Sequence, residues 1–152
     1  MARIVKASAD YTLNRPSVFL AGTIDNGKGV DWQTEVENEL DDLDIIILNP
    51  RRNDWNPDWE QTRENDEFSQ QVSWELTGLD MVDEVFFFFA PHSYSPVTML
   101  ELGLCLPDKN VTLVCAKNFW RCGNIEITAD ACGVEVYHDL ATGVEVLRRK
   151  LS

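Results

Sequence analysis

A chain of 152 residues, 44% hydrophobic and 10% aromatic, carries enough apolar side chain for a single folded domain over residues 1–152. Folding at that length buries about two-thirds of the surface the unfolded chain exposes. A net charge of −13, with only 13 basic residues, argues against a nucleic-acid polymer or an anionic membrane as the main partner, because both demand positive surface.

In chain order, residues 17–21 (Ser-Val-Phe-Leu-Ala) form a compact apolar run ended by Gly22, the pattern of a buried strand. Trp32, Val36, Leu40 and Leu43 recur at helical spacing among acids and predict an amphipathic helix over residues 30–43. Residues 45–48 are a second β-branched strand, stopped by Asn49-Pro50. The polar, Trp-bearing stretch 51–66 is too long for a simple turn and reads as a functional loop. Phe68, Val72, Leu76, Leu79 and Val82 mark the next helix, residues 85–89 the third strand, and residues 98–106 the third helix. Residues 111–115 and 134–137 read as further strands, with a short helix expected over 125–131. A closing helix spans 143–151, where Arg148, Arg149 and Lys150 suit its C-terminal dipole.

Apolar strands without alternation, interleaved with helices, define an α/β protein with a parallel sheet covered on both faces. The economical architecture is a doubly wound, flavodoxin- or Rossmann-like sheet of five strands. Its ligand crevice would then receive Gly22-Thr23-Ile24, the loop 49–59 and the segment 91–101.

The longest apolar run, residues 85–90, is far too short to span a bilayer, and the first six residues lack the apolar core of a signal peptide. A cytoplasmic protein is expected. Cys105, Cys115, Cys122 and Cys132 form no C-x-x-C pair and read as buried reduced thiols. With only His92 and His138 beside them, their spacing assigns no metal and no cofactor.

Glu101 stands between Leu100 and Leu102, just past a central strand. Two readings are open. Thr98-x-x-Glu101 is a capping box, its carboxylate folded back onto an amide. Alternatively Ser95 caps a helix with Pro96 at its first position, and Glu101 faces the crevice. Either way the helix dipole is expected to keep the carboxylate ionised, and an ionised, partly desolvated carboxylate can act as a covalent nucleophile. Glu75 is either a solvated face residue or a second carboxyl group aimed at the same crevice, as retaining glycosidic chemistry requires. Gly22 permits close backbone approach and Thr23 adds a hydroxyl, although no G-x-G-x-x-G is present. Arg51 and Arg52 after Asn49 balance local acids such as Asp54, or recognise an anion; Trp55 and Trp59 are stacking surfaces or satellite core.

Together Phe19-Leu20-Ala21-Gly22-Thr23-Ile24, Trp32-Gln33, Asn49-Pro50-Arg51-Arg52, Trp74-Glu75-x-x-x-Leu79 and Thr98-x-x-Glu101-Leu102-Gly103 resemble the nucleoside 2-deoxyribosyltransferase-like family. The resemblance implies a doubly wound fold and cleavage or exchange of the N-glycosidic bond of a (deoxy)nucleoside or nucleoside 5′-monophosphate. It implies that Glu101 is the nucleophile, that Glu75 assists protonation of the base, and that Asn124 is contributed by a neighbouring subunit of a homodimer or larger homo-oligomer. It also implies that Ser95 stands where related transferases carry an aspartate that contacts the sugar. An N-glycosidase acting on NAD or another nucleotide, and a non-catalytic nucleotide-binding module, are the alternatives.

Overall fold

The computed structural model describes residues 1–24, 30–52 and 54–152. The elements run β1 (Arg3–Lys6), β2 (Ser17–Gly22), α1 (Trp32–Glu39), β3 (Ile46–Asn49), α2 (Asp66–Met81), β4 (Glu84–Phe89), α3 (Pro96–Cys105), β5 (Val111–Cys115), α4 (Cys122–Ala131), β6 (Val136–Tyr137) and α5 (Leu140–Leu151). All pairings are parallel, and the order across the sheet is β1-β3-β2-β4-β5-β6. Setting β1 aside, this is the flavodoxin-like arrangement, whose strand order reverses between β2 and β4. The sheet has six strands, not the five expected. The additional edge strand β1 escapes pattern reading because only Val5 of its four residues is buried.

Alternate residues of each strand feed two cores. Phe19, Ala21, Ile46, Leu48, Phe87, Phe89 and Leu113 meet α2, α3 and α4 on one face. Val18, Leu20, Ile47, Phe86, Phe88 and Val114 meet α1 and α5 on the other. Each such side chain removed from water contributes roughly 1.5–3 kcal/mol before entropy is counted. Gly78 lets α2 lie close on the sheet, since a Cβ there would stand 2.9 Å from the Phe19 ring. No helix among the described residues is long and apolar enough to cross a membrane.

Several boundaries differ from expectation. Helix α3 begins at Pro96, two residues before the expected start, so the Ser95–Pro96 reading prevails over the capping box. Helix α4 begins at Cys122 and α5 at Leu140, where Asp139 caps by accepting from the Thr142 amide. Cys132 is exposed, unlike the other three thiols. Its position just before the turn at Gly133 lifts it off the apolar face of α4.

Candidate active site

The parallel register brings the carboxyl ends of β2, β3 and β4 to one edge of the sheet, and the connection after β4 turns back there into α3. Helix α3 packs against β4 and β2, which buries Glu101 to 8% exposure in its second turn. Glu75, on α2, reaches the same place from the neighbouring helix, and the two carboxyl groups hydrogen-bond each other.

That contact sets their chemistry. Burial pushes Glu101 up to about 8, and the adjacent Glu75 charge pushes in the same direction. Burial likewise raises Glu75 to about 7, while hydrogen bonds from Gln71 and Glu101 oppose the rise. Two carboxyl groups this close cannot both ionise cheaply, so the pair retains a proton near neutral pH. The expectation that the helix dipole keeps Glu101 ionised is therefore corrected. Desolvation and a like charge outweigh the dipole, whose effect is about 0.3–1 kcal/mol at exposed sites.

A line of polar groups supports Glu75. Gln71 Nε2 donates to Glu75 Oε2 at 3.1 Å and to the Pro50 carbonyl at 3.1 Å. Arg52 donates to Gln71 Oε1 at 3.4 Å and to both oxygens of Asp54 at 2.7 and 2.9 Å. The Arg52 guanidinium lies 5.5 Å from the centre of the Trp59 ring, which itself meets Trp55 edge-on at 4.9 Å. The loop expected over residues 51–66 thus folds onto itself around Arg52, and Asn53 lies outside the described residues. Gln71 had no mark in the sequence except its place one turn before Glu75. That i, i+4 spacing is the signal that could have found it.

At the start of α3, Thr23, Ser93 and Ser95 form a buried triangle of hydroxyls at 2.6, 3.1 and 3.2 Å. The Ala90 amide donates to Thr23 Oγ1, and Ser93 Oγ donates to the Ala90 carbonyl. One proton order satisfies every member: Ala90 N–H to Thr23, Thr23 to Ser95, Ser95 to Ser93, and Ser93 back to the Ala90 carbonyl. This ring holds Ser95 at φ 49°, a left-handed conformation that costs a serine roughly 1–2 kcal/mol. Gly22 is demanded by packing, since a Cβ there would sit 2.4 Å from the Phe88 carbonyl oxygen and 2.5 Å from the Trp32 ring.

The remaining candidates lie apart from the carboxyl pair in their contacts. Asn49 is fully buried; its amide donates to Glu37 Oε2 at 3.0 Å and its oxygen accepts from the Arg51 amide at 2.9 Å. Arg51 donates to the Val30 carbonyl at 2.8 Å and to Gln33 Oε1 at 3.3 Å. Asn124 is exposed on α4. Two buried polar atoms have no partner among the described residues: Gln33 Nε2 and the Tyr11 hydroxyl. Tyr11 follows β1, and its ring meets Trp74, next to Glu75 in sequence, edge-on at 6.0 Å. A surface cavity of about 530 Å³ opens on the outer side of α2, lined by Ser8, Asp66, Ser69, Gln70, Ser73 and Trp74. Glu101 is not among its walls.

These features define a doubly wound α/β protein with a protonated carboxyl pair at the switch point of its sheet. The chain belongs to the nucleoside 2-deoxyribosyltransferase-like family, whose sequence profile matches residues 15–119. That span runs from β2 through Phe119 and includes both carboxyl groups and the hydroxyl ring. No curated protein matches the chain.

Proposed function

We propose that the protein cleaves or exchanges the N-glycosidic bond of a (deoxy)nucleoside or nucleoside 5′-monophosphate, with Glu101 as nucleophile and Glu75 as proton donor to the departing base. Family membership supports nucleoside glycosyl transfer. The single observation that supports chemistry by this pair is the contact of two carboxyl groups holding one proton, and the division of roles follows the family resemblance.

Two carboxyl groups in hydrogen-bonding contact leave no room for a sugar between them, which retaining chemistry requires. Substrate must part the pair as it enters, and the approach of the sugar's developing positive charge to Glu101 draws the shared proton over to Glu75. As the C1′–N bond breaks, Glu101 stabilises the developing oxocarbenium charge and closes on C1′, while the base leaves with the proton from Glu75. Glu75, now ionised, takes a proton from the incoming base or water that releases the sugar. The Gln71–Arg52–Asp54 line holds the orientation of Glu75 throughout. Arg52 with Trp59, and the Gln33 amide, which has no partner among the described residues, suit the polar edge of the substrate.

We further propose that the protein works as a homo-oligomer in the cytoplasm. Val97, Leu100 and Leu104 lie one face apart along α3 and are 60–75% exposed, with Ile127 of α4 similarly bare. A second copy would cover this strip and bring its Asn124 toward the site.

The test is incubation with nucleosides, their 5′-monophosphates and NAD, followed by chromatography for free or exchanged base. Wild-type protein should yield product from nucleosides or monophosphates, and Glu101→Ala should yield none while retaining its far-UV spectrum. Full activity in Glu101→Ala removes that residue from the reaction. Nicotinamide release from NAD alone would favour the nucleotide N-glycosidase. Ligand-induced thermal stabilisation with no product would leave a binding module.

A further inference from the structure

Away from the carboxyl pair, toward the β5–β6 edge of the sheet, three donors converge from two stretches of chain. Cys122 and Glu126 sit one turn apart on α4, and His138 follows β6. Their ligating atoms all lie within 4.8 Å of one another. Cys122 Sγ is 3.6 Å from Glu126 Oε1, and Glu126 Oε2 is 3.6 Å from His138 Nε2. Donors around a tetrahedral zinc ion stand about 3.4–3.6 Å apart, given bonds of ~2.0–2.3 Å. Each oxygen of Glu126 thus stands at that spacing from one partner, Oε1 from the sulfur and Oε2 from the imidazole, and Glu126 and His138 are exposed enough to bring one shared oxygen into place by a side-chain adjustment.

The outer contacts favour the same outcome. His138 Nδ1 lies 3.0 Å from the Cys115 carbonyl oxygen, which can only accept, so the ring proton belongs on Nδ1 and Nε2 presents its lone pair to the cluster. A cation already serves Glu126: Lys117 Nζ lies 3.2 Å from its Oε2. That lysine is 67% exposed and free to swing into water when a metal enters.

We propose that Cys122, Glu126 and His138 form a site for a zinc-type divalent cation, with the fourth position held by water, that pins α4 to the joint between β6 and α5. Sulfur, imidazole and carboxylate donors together select a borderline-soft ion such as zinc over magnesium or calcium. Binding releases the Cys122 thiol proton and displaces Lys117 from Glu126. The site carries no step of the glycosidic chemistry; it rigidifies the helix on which Asn124 lies.

Cobalt titration of the metal-free, reduced full chain provides the test. One cobalt per chain should give a sulfur-to-cobalt charge-transfer band, and zinc should displace it and raise Tm. The band should vanish in Cys122→Ala, affinity should drop at least about tenfold in His138→Gln, and Lys117→Met should bind more tightly than wild type. The two exposed-site variants keep the test decisive even if Cys122→Ala folds poorly. Absence of the band in wild-type protein overturns the proposal. So does a band that survives His138→Gln but is lost in Cys132→Ser, which would mark an adventitious site on the exposed thiol.

Discussion

Replacing Glu101 with glutamine keeps its shape and much of its hydrogen bonding but removes its charge, and the structure ties that charge to stability. Glutamate ordinarily titrates near 4.5, whereas Glu101 is pushed up to about 8. At 1.36 kcal/mol per pKa unit, ionising it in place would cost up to ~5 kcal/mol. Glu75 shares that burden, so the part assigned to Glu101 reduces to about 2–3 kcal/mol. Because the folded value lies above the unfolded one, the unfolded chain loses its proton first as pH rises. The stability due to the neutral pair is thus fully present below about pH 4.5 and is lost as pH climbs through about 8. Urea unfolding followed by fluorescence of the five tryptophans, between about pH 5 and pH 9, reads this directly. Wild-type protein should weaken by about 2–3 kcal/mol more than Glu101→Gln across that range. At the alkaline end Glu101→Gln should be the more stable of the two. Parallel pH profiles for the two proteins would refute the buried, proton-sharing pair and with it the proposed division of roles.

Two further outcomes follow from particular contacts. Gln71→Ala leaves the Pro50 carbonyl and Glu75 without their shared donor, so stability should drop by about 1–3 kcal/mol and kcat should decline more than KM changes; an unaltered kcat would show that Glu75 orients itself unaided. Leu100→Lys places a charge in the exposed apolar strip of α3 and should shift the mass measured by light scattering from oligomer to monomer, whereas a wild-type protein already monomeric at micromolar concentration would remove the second copy from the site.

How much of this was legible beforehand differs from element to element. The run 85–89 announces a strand because phenylalanines without alternation fit only a sheet covered on both faces. The Trp32–Val36–Leu40 stripe announces a helix because its period matches 3.6 residues. Strand β1 gave no such signal. Its place at the sheet edge leaves three of its four residues exposed, so neither a continuous apolar run nor a buried stripe arises. The left-handed turn at Ser95 was equally hidden, since its support comes from Thr23, 72 residues earlier.

Local pattern therefore determined the succession of strands and helices from β2 onward, and with it the edge of the sheet where a ligand crevice belongs. It also put Glu75 and Glu101 forward as separate candidates. Only the tertiary structure decided that they touch, because the contact joins α2 to α3 across the packing of both helices on the sheet. Only that packing decided their protonation, since desolvation and a like charge are properties of where a carboxyl group sits and not of the residues beside it in sequence. The gathering of Cys122, Glu126 and His138 has the same origin: their spacing matches no ligand motif, and it is the closing of β6 against β5 that brings the histidine to the helix.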